Sequence, residues 1–167
     1  MPQQFFKEQI LPCKNKLFRF ALSITSNRIV AEDVVQEIMV KIWLKRAEWH
    51  NINNIEAWAM RMTKNLSIDK LRSKHNRTTE LHSFQSPNDY LTPERIMENK
   101  DNLNYVKKII HKLPEKQRQI MHLRDIEGLT YQEISDTLEV TLSQVKTYLF
   151  RARSAVRSQL IKTGLHE

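Results

Sequence analysis

Glycine and proline are scarce in this sequence, with 2 and 5 residues among 167. Folds that depend on tight turns, or on a glycine-rich loop around phosphate, need residues that enter left-handed backbone conformations without strain, and glycine is the main one. Leu, Lys, Glu, Gln, Arg, Met and Ala recur in long runs instead, and all of these are strong helix formers. The composition therefore predicts an all-α fold.

Cysteine and long apolar runs are lacking as well. The single cysteine, Cys13, excludes a disulfide within the chain and is typical of a reducing compartment. No stretch approaches the roughly 20 apolar residues that span a bilayer, and the first residues lack the apolar segment of a signal peptide. We therefore expect a cytoplasmic protein without direct membrane insertion.

Acidic residues are outnumbered by basic ones. The chain has 27 Lys and Arg against 19 Asp and Glu, a formal net charge of +8 at pH 7, and no acid occurs over residues 140–166. Such an excess attracts polyanions. Charge alone leaves both nucleic acid and an anionic membrane surface open as partners.

Apolar residues recur at helical spacing through three segments of the first half of the chain. We predict helices over residues 5–26, 31–45 and 55–74. The first should bend or restart at Pro12, because proline lacks the amide donor of a helix interior. Asn27 precedes the second segment and is a residue type that caps helix starts.

The helical pattern fails in the middle of the chain. Residues 77–92 are polar, contain Pro87 and show no sustained period. A structureless stretch of this length is hard to place inside one compact domain. We therefore predict two small helical domains, over residues 1–76 and 93–167, joined by a flexible linker at 77–92.

Two helix-start signatures follow each other closely in the second domain. Thr130 and Thr141 each stand three residues before a Glu or Gln, Glu133 and Gln144, which is the pattern of a capping box. Gly128 suits the left-handed residue that ends the preceding helix. Only one short helix fits between the two signatures, so the layout predicts a helix-turn-helix whose second helix enters the DNA major groove.

The second helix of this motif is rich in groups that bind DNA. Lys and Arg can hydrogen-bond to guanine, Gln can hydrogen-bond to adenine, and Thr or Phe can contact a thymine methyl. The candidate DNA-binding residues are Ser143, Gln144, Lys146, Thr147, Phe150, Arg151, Arg153 and Arg157. An ordinary solvated basic helix stays open as an alternative.

A second basic cluster lies on the predicted helix 55–74 and in the loop before it. Cations interleaved with amides and aromatic rings fit a strand-separated or distorted DNA. The cluster consists of Asn54, Trp58, Arg61, Lys64, Lys70 and Arg72. For Trp58, a place in the hydrophobic core is the alternative.

Three stretches of the sequence resemble the extracytoplasmic-function group of bacterial RNA polymerase sigma factors, in the sigma-70 family. Residues 17–43 resemble the segment of that family that binds core polymerase, residues 56–74 its promoter-melting segment, and residues 113–156 its promoter-reading domain. The resemblance implies an alternative sigma factor that directs promoter-specific transcription initiation, has no enzymatic activity and needs no cofactor or small-molecule substrate. The implied partners are core RNA polymerase (β′ clamp helices and β flap), promoter DNA and an anti-sigma factor.

The resemblance also implies roles for individual residues. The face that binds polymerase would consist of Asp33, Gln36, Glu37 and Lys41. Asn65 matches an asparagine that helps to hold a flipped base of the minus-10 element, beside the basic cluster described above. The candidate residues of the second helix would read the minus-35 element, with Arg153 and Arg157 on phosphate. Glu139 stands where many members have glycine, so a left-handed conformation there would be strained.

An enzyme and a conventional DNA-binding regulator are the alternatives to a sigma factor. An enzyme is disfavoured, because the 6 histidines show no metal-ligand spacing with Cys13 and neither an HExxH motif nor a glycine-rich phosphate loop occurs. A conventional helix-turn-helix regulator is the stronger rival. It would bind a palindromic operator as a dimer without polymerase, whereas a sigma factor would recognise duplex promoter poorly by itself.

Overall fold

The computed structural model describes residues 1–78 and 97–164, without the side chains of 75–78 and 97–100, and every regular element in these ranges is helical. The all-α prediction is therefore confirmed. The elements are α1 (Pro2–Phe5), a π turn (Phe6–Ile10), a 3-10 turn (Leu11–Cys13), α2 (Lys14–Thr25), α3 (Arg28–Leu44), a 3-10 segment (Arg46–Asn51), α4 (Ile55–Thr78), α5 (Met97–His111), α6 (Glu115–Met121), a second π turn (His122–Ile126), α7 (Tyr131–Leu138) and α8 (Leu142–Thr163).

The first predicted helix, over residues 5–26, is divided into shorter pieces. Pro12 lies early in the 3-10 turn, and α2 begins after that turn at Lys14. The restart at proline is as predicted, because the missing amide donor is tolerated at a helix start. The π turn before it was not predicted. α2 ends at Thr25, and the next residue, Ser26, is left-handed at φ 53° and donates its N–H to the Leu22 carbonyl at 2.8 Å.

Helices α2, α3 and α4 surround the core of the first half. Asn27 caps α3 as predicted, since its side-chain oxygen accepts the Val30 N–H at 3.1 Å. The buried face of α3 follows helical spacing and consists of Ala31, Val34, Val35, Ile38 and Ile42. α4 extends to Thr78, past the predicted end at residue 74. The predicted linker thus begins inside α4, and its remainder from residue 79 lies outside the described residues.

Both predicted capping boxes are present in the second half. Thr130 accepts the Glu133 N–H at 3.1 Å and donates its own N–H to the Glu133 carboxylate at 2.8 Å. Thr141 and Gln144 repeat this exchange at 3.1 and 2.9 Å. Gly128 is left-handed at φ 73°, as predicted. α7 and α8 therefore form the expected helix-turn-helix.

The two halves of the chain pack against each other. One buried cluster includes Phe20 of α2 together with Leu123 and Leu138 of the second half. α2 contacts α6 and the second π turn, and α4 contacts α7. The sequence predicts two helical domains joined by a linker, and the structure adds this contact between them. Small domains leave much apolar surface exposed, and docking covers part of it here. The domain bounds 1–76 and 93–167 stay a prediction.

Candidate nucleic-acid interface

Helix α8 has a buried face and an exposed face. Val145, Leu149, Ala152 and Val156 are buried at spacings of four, three and four, which fixes the helix against α6 and α5. The candidate DNA-binding residues all lie off this stripe and are exposed: Ser143, Gln144, Lys146, Thr147, Phe150, Arg151, Arg153 and Arg157. Docking of the two halves therefore leaves this surface accessible to DNA.

Two of these residues already have partners within the protein. The side-chain oxygen of Gln144 accepts the Thr141 N–H, which orients the amide and leaves its NH₂ group and one lone pair of the oxygen for a base. Arg153 pairs with Asp125, with Nε 3.1 Å from Oδ2. This hydrogen bond raises the pKa of Arg153 above its ordinary value. The carboxylate also offsets part of the positive charge at this end of the surface.

A groove of about 310 Å³ lies between the start of α7 and the outer side of α8. Tyr131 forms one wall, and Lys146, Phe150 and Arg157 are among the residues of the other. The Arg124 guanidinium lies over the Tyr131 ring, 4.8 Å from its centroid. Aromatic faces flanked by cations suit an anionic, extended ligand such as a nucleic-acid backbone.

The minus-10 candidates are divided between solvent and the contact with the second half. Asn65 and Arg72 are exposed on α4. Trp58 is half-buried and packs against the core, which agrees with the alternative stated for it. Asn54 and Arg61 are engaged by residues of α7 and of the turn after it.

Lys64 is half-buried at this contact as well. Its pKa is lowered, chiefly because burial penalises the charged ammonium group. In the second half, the negative charge of Glu139 opposes this shift and the positive charge of Lys116 adds to it. The cationic face of α4 is thus partly covered in this arrangement.

The candidate polymerase-binding face of α3 is exposed at Asp33, Gln36 and Lys41 and half-exposed at Glu37. Lys70 of α4 reaches this face, with Nζ 2.6 Å from Asp33 and 3.3 Å from Glu37. Hydrogen bonds from Lys41 and then Lys70 lower the pKa of Glu37. Lys70, which is predicted to contact DNA, therefore forms ion pairs with Asp33 and Glu37, which are predicted to contact polymerase.

Three apolar side chains on the same helix were missed by the sequence reasoning. Ile29, Val40 and Leu44 are 71%, 59% and 69% exposed. They lie within one turn of Asp33 and Lys41, so this surface of α3 combines charges with apolar area. The sequence could have identified them, because they lie three or four residues from the charged residues of this face or from one another, the same spacing that placed those charged residues on one surface.

No three His, Cys, Asp or Glu side chains of the described part could together hold a metal ion. Within that part, too, no helix combines the length and the apolar character needed to cross a membrane. The fold and the cationic surfaces of α4 and α8 define a helical DNA-binding protein.

Comparison with known proteins places the chain more narrowly. The family model for sigma-70 region 2 matches residues 10–77, and the model for sigma-70 region 4 matches residues 103–156. The chain therefore belongs to the sigma-70 family of RNA polymerase sigma factors, and curated relatives place it in the extracytoplasmic-function group.

The relatives differ in how much of their length the chain covers. A probable RNA polymerase sigma factor, RfaY, of Xanthomonas campestris pv. campestris is 27% identical over 96% of this chain and 41% of that protein. The extracytoplasmic-function sigma factor SigW of Bacillus subtilis is 27% identical over 95% of this chain and 90% of that protein.

Solved structures share the fold. The sigma factor RpoE of Bartonella quintana, in complex with the anti-sigma factor NepR, has a TM-score of 0.77 at 23% identity and covers 93% of this chain and 96% of that one. CnrH in complex with the cytosolic domain of CnrY has a TM-score of 0.69 at 20% identity, over 96% and 90% of the two chains.

Proposed function

We propose that this protein is an alternative sigma factor that binds core RNA polymerase and directs promoter-specific transcription initiation. The observation that carries the proposal is the presence of region 2 and region 4 in one chain, with the cationic face of α8 open to solvent. Sigma factors are regulatory subunits of the polymerase rather than enzymes. Core polymerase is a cytoplasmic assembly, so we also propose a cytoplasmic location.

The residue roles belong to the same proposal. The exposed face of α3 around Asp33 and Glu37 binds the β′ clamp helices, and its apolar side chains add buried area. Asn65 and the cations of α4 hold the minus-10 element, where extracting a base costs a few kcal/mol that backbone contacts must offset. Lys146, Thr147, Phe150 and Arg151 read the minus-35 element. Region 4 binds the β flap.

An anti-sigma factor is the remaining proposed partner. Its support is that the sigma factor RpoE of Bartonella quintana, which has a similar fold, was solved in complex with the anti-sigma factor NepR. A conventional operator-binding regulator is not favoured, because the first half of the chain matches region 2 over residues 10–77.

Run-off transcription with purified core polymerase on a randomised promoter library tests the proposal. We expect transcripts that depend on the added protein, from templates that share two motifs at fixed spacing. Tight binding of a palindromic duplex by the protein alone, together with no transcription in the presence of core polymerase, would establish the regulator instead.

A further inference from the structure

Four aromatic rings meet where the start of the chain reaches the segment after α3. The Phe5 ring stacks on the Trp49 ring with centroids 5.1 Å apart, and the Phe6 ring lies 6.3 Å from that of Trp49. Trp43, in the last turn of α3, contacts Phe6 and Trp49 edge to face, at 5.6 and 6.1 Å. Stacked and edge-to-face pairs stabilise packing beyond the area that they bury. We call these four residues the aromatic cluster.

Trp49 is the centre of the aromatic cluster. It is 7% exposed, and its indole N–H donates to the Ile42 carbonyl of α3 at 3.1 Å. A buried indole nitrogen usually has such a partner. Because rings pack on its face and the hydrogen bond fixes its nitrogen, the Trp49 side chain is held in one orientation.

The segment that carries Phe5 and Phe6 has an anchor of its own. Ile10, at the end of the first π turn, is fully buried in the hydrophobic core, and π turns are frequent at functional sites. No residue of α1 is buried, and Phe5 at its end is 36% exposed. Since α1 buries nothing of its own, we attribute to it the covering of Trp49 rather than a share in the core.

Trp49 determines where the loop before α4 begins. The Ile52 N–H donates to the Trp49 carbonyl at 3.1 Å, which joins the 3-10 segment to the loop. At the other end, the Asn54 side-chain oxygen accepts the Ala57 N–H at 2.9 Å and caps α4. Both anchors lie within the first half of the chain, so they do not depend on its contact with the second half.

Between these anchors the loop presents polar side chains to solvent. His50, Asn51 and Asn53 are exposed. Imidazole and amide groups carry both donors and acceptors, which can read the edge of an unstacked base. The loop directly precedes α4, on which Asn65 and several cations are assigned to minus-10 DNA. A loop that is already fixed loses little conformational entropy on binding, so its contacts can discriminate between bases.

We propose that Phe5 and Phe6 are positioning residues for recognition of the minus-10 element: by holding Trp49, they keep the loop over residues 50–54 in the conformation that meets a base. The inference rests on the proposed function for the identity of the ligand. Neither phenylalanine needs to touch DNA, because its effect passes through Trp49 and the loop. Loosening the aromatic cluster should therefore reduce discrimination at the minus-10 element and leave the minus-35 element, which α8 reads, unaffected.

The test compares Phe5→Ala with two controls in the full chain. Phe5→Tyr keeps a ring that can stack on Trp49, so it should retain the wild-type behaviour. Leu11→Ala truncates another apolar side chain near the start of the chain, which is 47% exposed and has no ring to stack. Holoenzyme assembled from each protein and core polymerase transcribes two sets of run-off templates, with single base changes in the minus-10 or in the minus-35 element. A pull-down with core polymerase and far-UV circular dichroism check assembly and folding.

We expect Phe5→Ala to lower the ratio of transcription between the preferred base and a substituted base by about 2-fold to 10-fold at one or more minus-10 positions, since one stacked pair contributes on this scale. A single mismatch commonly changes affinity by roughly 5-fold to 150-fold, so such a loss is measurable. The ratios at minus-35 positions should match those of the wild type. Phe5→Tyr and Leu11→Ala should match the wild type in both sets of templates.

Wild-type ratios at the minus-10 positions in Phe5→Ala would overturn the positioning role, as would an equal fall in both sets of templates, which would indicate a general structural effect. If Phe5→Ala does not fold, Phe5→Leu keeps the apolar bulk without the ring and is judged by the same outcomes. Transcription by the wild type with unchanged minus-10 preferences in the variant rejects the positioning role alone. No transcription by the wild type rejects the proposed function, and the positioning role with it.

Discussion

Arg19 of α2 donates two hydrogen bonds to the Glu127 carboxylate of the second π turn, at 2.7 and 2.8 Å. Replacing Arg19 with methionine should lower the free energy of unfolding by about 3 kcal/mol, the lower end of the range for removing one partner of a buried ion pair. The lower end applies because Arg19 itself is nearly half exposed. Methionine keeps the apolar stem, so packing changes little. What remains is the Glu127 carboxylate with no exposure to water. Among the residues that the structure describes, His122 is the one other cation-forming group in contact with this carboxylate, with Nε2 3.2 Å from Oε1 but without hydrogen-bond alignment.

Glu127→Gln should lower the free energy of unfolding less than Arg19→Met does, so comparing the two variants tests whether the Glu127 carboxylate is shielded from water. Glu127→Gln leaves a guanidinium that water can reach, so we expect a loss of about 1.5–2 kcal/mol, the lower end of the range for a hydrogen bond to a charged group. The double variant Arg19→Met/Glu127→Gln should resemble Glu127→Gln alone. The coupling energy from this double-mutant cycle would then equal the loss from Arg19→Met, about 3 kcal/mol.

The free energies of unfolding are measured by urea unfolding, followed by circular dichroism and by tryptophan fluorescence. Coincident transitions from the two probes establish that unfolding is two-state, so that one free energy describes each variant. Small-angle scattering of Arg19→Met without denaturant shows whether the chain relieves the unpaired charge by opening instead. Equal losses for the two single variants, without opening, would refute the reasoning, because they would mean that Glu127 is hydrated in the folded protein.

Three further outcomes are expected. Burial holds the pKa of His122 below its ordinary value of 6.5. The unfolded chain therefore binds the proton first, and the free energy of unfolding should fall as the pH drops through about 6.5. Urea unfolding of His122→Gln should lack this part of the pH dependence, and a pH profile identical to that of the wild type would contradict the assignment. Reversing the charge of Asp33 and Glu37 should weaken association with core polymerase in a pull-down, whereas reversing the exposed Glu48, in the 3-10 segment outside α3, should not. Unchanged assembly after the reversal at Asp33 and Glu37 would reject that surface. Arg151→Ala should cost about 1–3 kcal/mol at one upstream base position in promoter-variant transcription, and an equal loss on every variant would make Arg151 a phosphate contact.

Much of the fold could be predicted because its signals are local. The cap at Asn27, the left-handed Gly128 and the paired capping boxes at Thr130 and Thr141 each depend on residues within four positions of one another. The exposed face of α8 follows from the same helical spacing that buries Val145. These features need no knowledge of the distant parts of the chain.

The docking of the two halves could not be predicted in this way. Arg19 and Glu127 are 108 positions apart, and neither stands out from other surface charges in the sequence. The same holds for Arg61 and Glu139, of which only the strain at Glu139 could be anticipated. The base contacts of the individual DNA-binding residues stay predictions.

The reciprocal bonds of Thr141 and Gln144 have a consequence for affinity. The first turn of α8 carries its hydrogen bonds before any ligand arrives, so little backbone freedom is left to lose when the helix enters a groove. Binding that orders nothing new retains more of its contact energy. Differences in affinity between promoters should then reflect base contacts and DNA shape, rather than the free energy spent on ordering the first turn of α8.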